Sequence, residues 1–425
     1  MQEAFNYESM MEDNKLINET NKWLYDTMQR DKPKNYSINN ELLANSLDVT
    51  KTLYLKMLGV VLQQNNEINE PQQIFYKRII AGANVNLEAV EYLRMSQQCD
   101  ETDIQTFIEV CNDAFLKYRF ILDSMILCCL NVNRSEQYKL IVAFCEMLKI
   151  EKKEIEFLAS MAKAIVEINL LLYAEACCQR PANIADKVFY DYFLILQSYL
   201  KDEENITVIQ GFDFLNEPCE VFEASRVADN LALINIDLSP ITASEVSFSL
   251  RDKTKLIFSG CVINGNNHPL YIERCQNVKI LNSRITNFNK RTLCIESIDT
   301  MLIKNSCFNN CKNTFDWPAR LSGDSYVGGV IYSKEKHNGV VVIDGCQFVS
   351  CGTWNSKNAR ANPCISNIDC DVRNSDFMNC YCHTRNYGDI QNSYMFTDNS
   401  KESNCKAINS PKFKNYPNTP NTYMG

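Results

Sequence analysis

Five short segments between residues 256 and 382 repeat one pattern, and nothing else in the chain restricts its fold as strongly. The first is Leu256-Ile257-Phe258-Ser259-Gly260-Cys261-Val262, and the second is Val278-Lys279-Ile280-Leu281-Asn282-Ser283-Arg284-Ile285. Further copies begin at Met301, Val341 and Cys370. One apolar register, Ile257, Ile280, Ile303, Ile343 and Val372, advances by 23, 23, 40 and 29 residues. A second register, Val262, Ile285, Phe308, Phe348 and Phe377, makes the same four steps. The apolar runs are short and β-branched, which fits strands and not helices. A unit this small cannot bury its own apolar face, so its copies must stack. The spacing therefore predicts a solenoid in which each register forms a ladder through the core.

The repeat lacks the leucine framework and helical segment of leucine-rich repeats. The segment resembles the right-handed parallel β-helix of pectate-lyase-like proteins. Asn282, Asn305 and Asn374 share the corner after the first strand. The resemblance implies that they stack there and satisfy corner backbone groups with their amides. Ile234 lies 23 residues before Ile257, which extends the register to that point, with the first strands beginning near Ile206. Cys311, Cys351 and Cys380 each follow the repeat's phenylalanine by three residues, which predicts an inward ladder of thiols.

The rest of the chain is read around this core. Residues 1–45 are polar, with Leu16, Ile17, Trp23, Leu24 and Met28 on one face of an N-terminal arm that ends at Asp31-Lys32-Pro33. Residues 46–200 carry helical periodicity, for example Leu53, Met57, Val60 and Val61, which predicts a compact all-α bundle. Residues 201–395 hold the repeats, and 396–425 form a tail of Asn, Ser, Lys and Pro. The fold class expected is thus multidomain α and β: a helical bundle followed by a right-handed parallel β-helix solenoid.

Two links within the bundle carry a second resemblance. Leu58-Gly59-Val60-Val61-Leu62-Gln63-Gln64-Asn65-Asn66-Glu67 runs from a helix into a polar loop. Met125-Ile126-Leu127-Cys128-Cys129-Leu130-Asn131-Val132-Asn133-Arg134-Ser135-Glu136 does the same, and Leu148-Lys149-Ile150-Glu151 follows. Over residues 50–168 the region resembles TerB-like domains, helical modules of tellurite-resistance and other bacterial stress proteins. The resemblance implies a stress-response or phage-defence setting. Neither loop keeps the family's Asp-Gly pair, since Asn65-Asn66 and Asn131-Val132 stand there, so cation binding does not carry over.

Charge and composition exclude several functions. A net charge of −9 argues against a general nucleic-acid binder, which presents a basic face. No run of 18 apolar residues is present, so no membrane-spanning segment is expected. The start, Met1-Gln2-Glu3-Ala4-Phe5, has no basic region or apolar core of an export signal, which places the chain in the cytoplasm with its 20 cysteines reduced. No phosphate loop, dinucleotide fingerprint or nucleophile elbow occurs. His268, His337 and His383 sit in turn-like stretches, where a solvated side chain is expected. No cofactor is implied. The group Cys364, Cys370, Cys380, Cys382 and His383 matches no zinc-finger spacing, so no metal is assigned to it.

The insertions between copies hold the candidate site. The longer one carries Asp316, Trp317, Arg320 and Asp324, and the next carries Trp354, Lys357 and Arg360. His383 and Arg385 follow the fifth copy. Loops leaving one corner of stacked repeats should lie side by side, and Trp with Arg is the composition of interface hot spots. The alternative is that both tryptophans fold back as lids. The reading is a non-enzymatic recognition or scaffold protein, with these loops engaging a macromolecular ligand and the helices contacting a partner protein. An enzyme acting on polysaccharide through Asp316 and Asp324 is the alternative activity, because glycosidic cleavage uses paired carboxylates. A subunit of a phage or cell-surface assembly is a third.

Overall fold

The computed structural model describes residues 38, 40–64, 68–111, 114–132, 134–212, 218–242, 248–265, 269–289, 292–314, 330–356, 364–384, 388–389, 400–408 and 410. The protein is mixed α/β, with helices in the N-terminal half and parallel-strand sheets in the C-terminal half. It divides into two compact units, Met1–Tyr199 and Leu200–Gly425.

The helices of the first half are α1 (Glu41–Ala44), α2 (Asp48–Leu62), α3 (Glu70–Gly82), α4 (Ala89–Ser96), α5 (Glu101–Val110), α6 (Ala114–Cys129), α7 (Ser135–Met147), α8 (Lys152–Glu167), α9 (Leu170–Cys178) and α10 (Tyr190–Glu203). Local sequence sets their starts. Asn69 with Gln72, Asp100 with Asp103, and Glu151 with Glu154 form reciprocal capping boxes that occupy amides otherwise left unbonded. Phe107, Phe120 and Phe144 meet edge to face, with ring centres 4.6–5.9 Å apart.

α6 is buried even on its polar face. Arg119 and Asp123, one helical turn apart, are both fully buried and joined at 2.9 Å. Asp123 also accepts from the hydroxyls of Tyr54 at 2.8 Å and Tyr192 at 2.5 Å. Arg119 also donates to the Val188 carbonyl at 3.0 Å and to Asp191 at 3.2 Å, and its guanidinium lies over the Tyr192 ring. Burial raises the Asp123 carboxyl, while Arg119 and the two hydroxyls oppose that shift. A buried pair of this kind is costly to break on one side, so the network fixes which helices meet.

The two links that prompted the TerB-like reading are closed by neutral amides. Gln72 donates to the Leu127 carbonyl at 2.8 Å, Asn69 to Leu130 at 2.8 Å, and Gln137 to Leu62 at 3.3 Å. Asn131 donates to Gln72 at 3.3 Å. Carbonyls left open at the ends of α2 and α6 are thus met by side chains from α3 and α7. Asn65, Asn66 and Glu67 lie outside the described residues.

In the second half the repeats form three sets of strands. A nine-stranded parallel sheet runs Ile206–Gln210, Asn230–Ile234, Lys255–Ser259, Leu270–Leu281, Leu293–Lys304, Ile331–Asp344, Ile365–Arg373, Lys401–Ser403, with Ser249–Arg251 attached to Leu270–Leu281. A six-stranded parallel sheet takes the next strand of each copy, from Val262–Asn264 to Lys406–Ile408. A four-stranded sheet holds Lys312–Thr314, Gly352–Ser356, Tyr381–Thr384 and Gly388–Asp389.

Both apolar registers pair directly from their second copy onward, and the first copy is corrected by one residue. Phe258, not Ile257, stands beside Ile280, and Ile303, Ile343 and Val372 follow. Ile263, not Val262, stands beside Ile285. Leu233, not Ile234, pairs with Phe258. Phe308, Phe348 and Phe377 stack with centres 4.7 and 4.8 Å apart, the spacing of neighbouring strands.

The expected right-handed β-helix solenoid does not stand. The described strands form open sheets, with no closed or continuous coil among them. Among the described residues, strands of the third set occur at three copies, and the last pairing of that set is antiparallel. Register shifts also interrupt Ile331–Asp344 against both of its neighbours.

The corner asparagines share one left-handed position, with φ of 48°, 50° and 48° at Asn282, Asn305 and Asn374. Gly345 occupies the same corner at φ 63°, where a Cβ would lie 2.6 Å from Asn305 Oδ1. Of the three amides, that of Asn374 reaches a side chain of the neighbouring copy: Asn374 Nδ2 donates to Asp344 Oδ1 at 2.8 Å. The adjoining backbone amides go to serine hydroxyls, Cys261 N to Ser283 Oγ at 3.2 Å and Ser283 N to Ser306 Oγ at 3.1 Å. A second corner, Asn287, Asn310, Ser350 and Asn379, repeats the left-handed turn at φ 52–58°.

Candidate functional site

The candidate loops are rooted on the four-stranded sheet, and its geometry starts from the cysteines. Cys311, Cys351 and Cys380 each precede one of its strands, and they are 0, 0 and 3% exposed, which is the inward thiol ladder. Each thiol donates to a carbonyl of the preceding copy: Cys311 to Ile285 at 3.4 Å, Cys351 to Phe308 at 3.2 Å, Cys380 to Phe348 at 3.5 Å. The strands that follow are then bonded in step, Gly352 N to Cys311 O and Tyr381 N to Cys351 O, both at 3.0 Å. Gly352 is required here, because a Cβ would sit 2.1 Å from the Tyr381 carbonyl.

This pairing brings three chain exits together. Thr314 lies beside Trp354, and Ser356 beside Thr384. Asp316 is two residues past Thr314, Lys357 directly follows Ser356, and Arg385 directly follows Thr384. Of the candidate residues, Trp354 and His383 stand on described strands, with His383 opposite Asp389. Asp316, Trp317, Arg320, Asp324, Lys357, Arg360 and Arg385 lie outside the described residues, as does His268.

Thiol chemistry is suppressed around the roots. Burial pushes the Cys346 and Cys370 thiols up to about 12 and holds Cys351 and Cys364 well above the usual thiol range. Cys380 is lowered instead, first by the hydrogen bond it shares with the Cys364 thiol. Thiols held protonated in the core act as small apolar groups, not as nucleophiles. Cys370 belongs to a different row, beside Val341 and against Ser400 Oγ at 3.3 Å. Among the described residues no group of three or more His, Cys, Asp or Glu could hold a metal.

His337 departs from expectation. It lies within strand Ile331–Asp344, opposite Ile368, and is 5% exposed with Nε2 unpartnered. Burial lowers its pKa from 6.5. Sequence reasoning placed it in a turn because Lys334-Glu335-Lys336 precedes it and Asn338-Gly339 follows. The register shifts on either side of His337 let that polar stretch continue the strand. The amides Asn69, Gln72 and Gln137 were also passed over, although amides flanking both loops were the visible signal.

No family model, no curated protein and no solved structure matches this chain. Neither resemblance drawn from the sequence is therefore sustained. The TerB-like assignment and the pectate-lyase-like assignment are both withdrawn, and with the first goes the stress-response and phage-defence setting. No described helix is long and apolar enough to cross a membrane.

Proposed function

We propose that this chain is a non-enzymatic recognition or scaffold protein. Segments rooted on the four-stranded sheet engage a macromolecular ligand, and the helical unit contacts a partner protein. The observation that carries the reading is the pairing of Thr314 with Trp354 and, past a register shift, of Ser356 with Thr384, which gathers three chain exits on one sheet. Residues set on a rigid scaffold lose little entropy on binding, which favours recognition there. The thiols beneath the exits point into the core and donate to carbonyl oxygens of the preceding copy.

The test is a native pull-down with the full chain, comparing wild type with Trp317→Ala plus Trp354→Ala. Expected is a co-purifying macromolecule that the double variant loses while its unfolding midpoint stays put. A solitary wild type, or a variant that only loses stability, assigns the tryptophans to lids and ends the recognition reading. Turnover of a polysaccharide that Asp316→Asn abolishes would overturn the non-enzymatic part.

A further inference from the structure

The outer face of the nine-stranded sheet carries a charge pattern that is its own complement. Across four adjacent strands one row reads Lys279, Leu302, Val342, Asp371, each paired directly with the next. The row two residues along reads Leu281, Lys304, Asp344, Arg373, again paired in sequence. All eight are half-buried or exposed, and Val340 on the same face is 64% exposed. Parallel sheets are normally covered on both faces, so aliphatic side chains open to solvent here mark an unpartnered face.

We propose that this face is an interface between two copies of the chain. The pair is related by a twofold axis along the strand direction, midway between Leu293–Lys304 and Ile331–Asp344. Such an axis reverses the strand order and keeps the strand direction, so each row meets itself back to front. Leu302 of one copy then faces Val342 of the other. Lys279 faces Asp371, Lys304 faces Asp344, and Arg373 faces Leu281. Every cation in the two rows meets an anion or an aliphatic, and no like charges oppose. A twofold interface requires this self-complementarity. Asp344 is already oriented by the Asn374 amide, and Asp371 by the Arg373 guanidinium. Both acids are therefore held in place before association.

The experiment measures solution mass of the full chain by light scattering on a sizing column, across a concentration series at low and high salt. Wild type should show twice the chain mass, with the doubling weakened by salt. Lys279→Glu with Lys304→Glu makes the patch anionic, and Asp344→Lys with Asp371→Lys makes it cationic. Each variant alone should run at single mass, and an equimolar mixture should recover the doubled mass. A chain with all four reversals is self-complementary again and should also double, which shows that the reversals leave the fold intact. A wild type at single mass throughout overturns the proposal. So does a reversed variant that keeps the doubled mass, or a mixture and a fourfold variant that both stay single.

Discussion

His337 shows what one buried side chain does to the energetics of a sheet. It pairs across the strand with Ile368, a core residue. Gly339, two residues on, packs tightly here: a Cβ on it would lie 1.9 Å from the Ile298 carbonyl oxygen and 2.8 Å from His337 Nε2. Burial lowers its pKa, so the neutral ring is what the folded chain accommodates. Between the unfolded value of 6.5 and the lower folded one, the unfolded chain binds the proton and the folded chain does not. The His337 contribution is therefore fully present above 6.5, and it is lost as pH falls from there towards the folded pKa. Urea midpoints at about pH 7.5 and about pH 5.5 should differ for wild type, and the difference should shrink in His337→Leu. An unchanged difference would assign the acid sensitivity to other groups.

At the scale of elements, the stacked phenylalanines carry the six-stranded sheet. Phe348 lies between Phe308 and Phe377, all three fully buried with nearly parallel rings. Phe348→Ala should cost about 3–5 kcal/mol in denaturant unfolding, and Phe348→Leu distinctly less, because the cavity left is smaller. Equal losses would mean the stack is not packed as described. These ladders were legible because insertions leave an apolar register intact: Phe308, Phe348 and Phe377 keep step through gaps of 40 and 29 residues. The first copy slipped by one because Ile257, on the opposite face from Phe258, is also buried at 4%, so alternation alone cannot choose between them. Aligning on the left-handed corner, Gly260 against Asn282, fixes the register. The third set of strands was not legible, since runs such as Lys312-Asn313-Thr314 carry no apolar period. The pattern placed the loops side by side, but which residues meet, Thr314 with Trp354 and Ser356 with Thr384, is set by the strand pairing.

At the scale of the whole molecule, burial raises most of the described thiols whose shifts are resolved, in two different settings, with Cys380 the exception. In the helices Cys129 and Cys145 are pushed up to about 11 and about 12 by burial, and in the strands Cys346 and Cys370 reach about 12 for the same reason. A thiol packs as a small apolar group against a helix neighbour, and in the sheets it also donates weakly to a carbonyl, as Cys346 does to Ile303 at 3.5 Å. Of the 18 described cysteines, Cys99, Cys178, Cys307 and Cys405 are the ones not buried. Since the thiolate is the reacting species, reactivity in the native chain depends on both exposure and deprotonation. A maleimide pulse on the native protein, read by peptide mass spectrometry, should label those four of the described cysteines first. The remaining 14 should stay unmodified until denaturant is added. Rapid native labelling of Cys311, Cys351 or Cys364 would show that the sheet core opens, and the roots of the candidate loops could not then be the rigid platform that recognition requires.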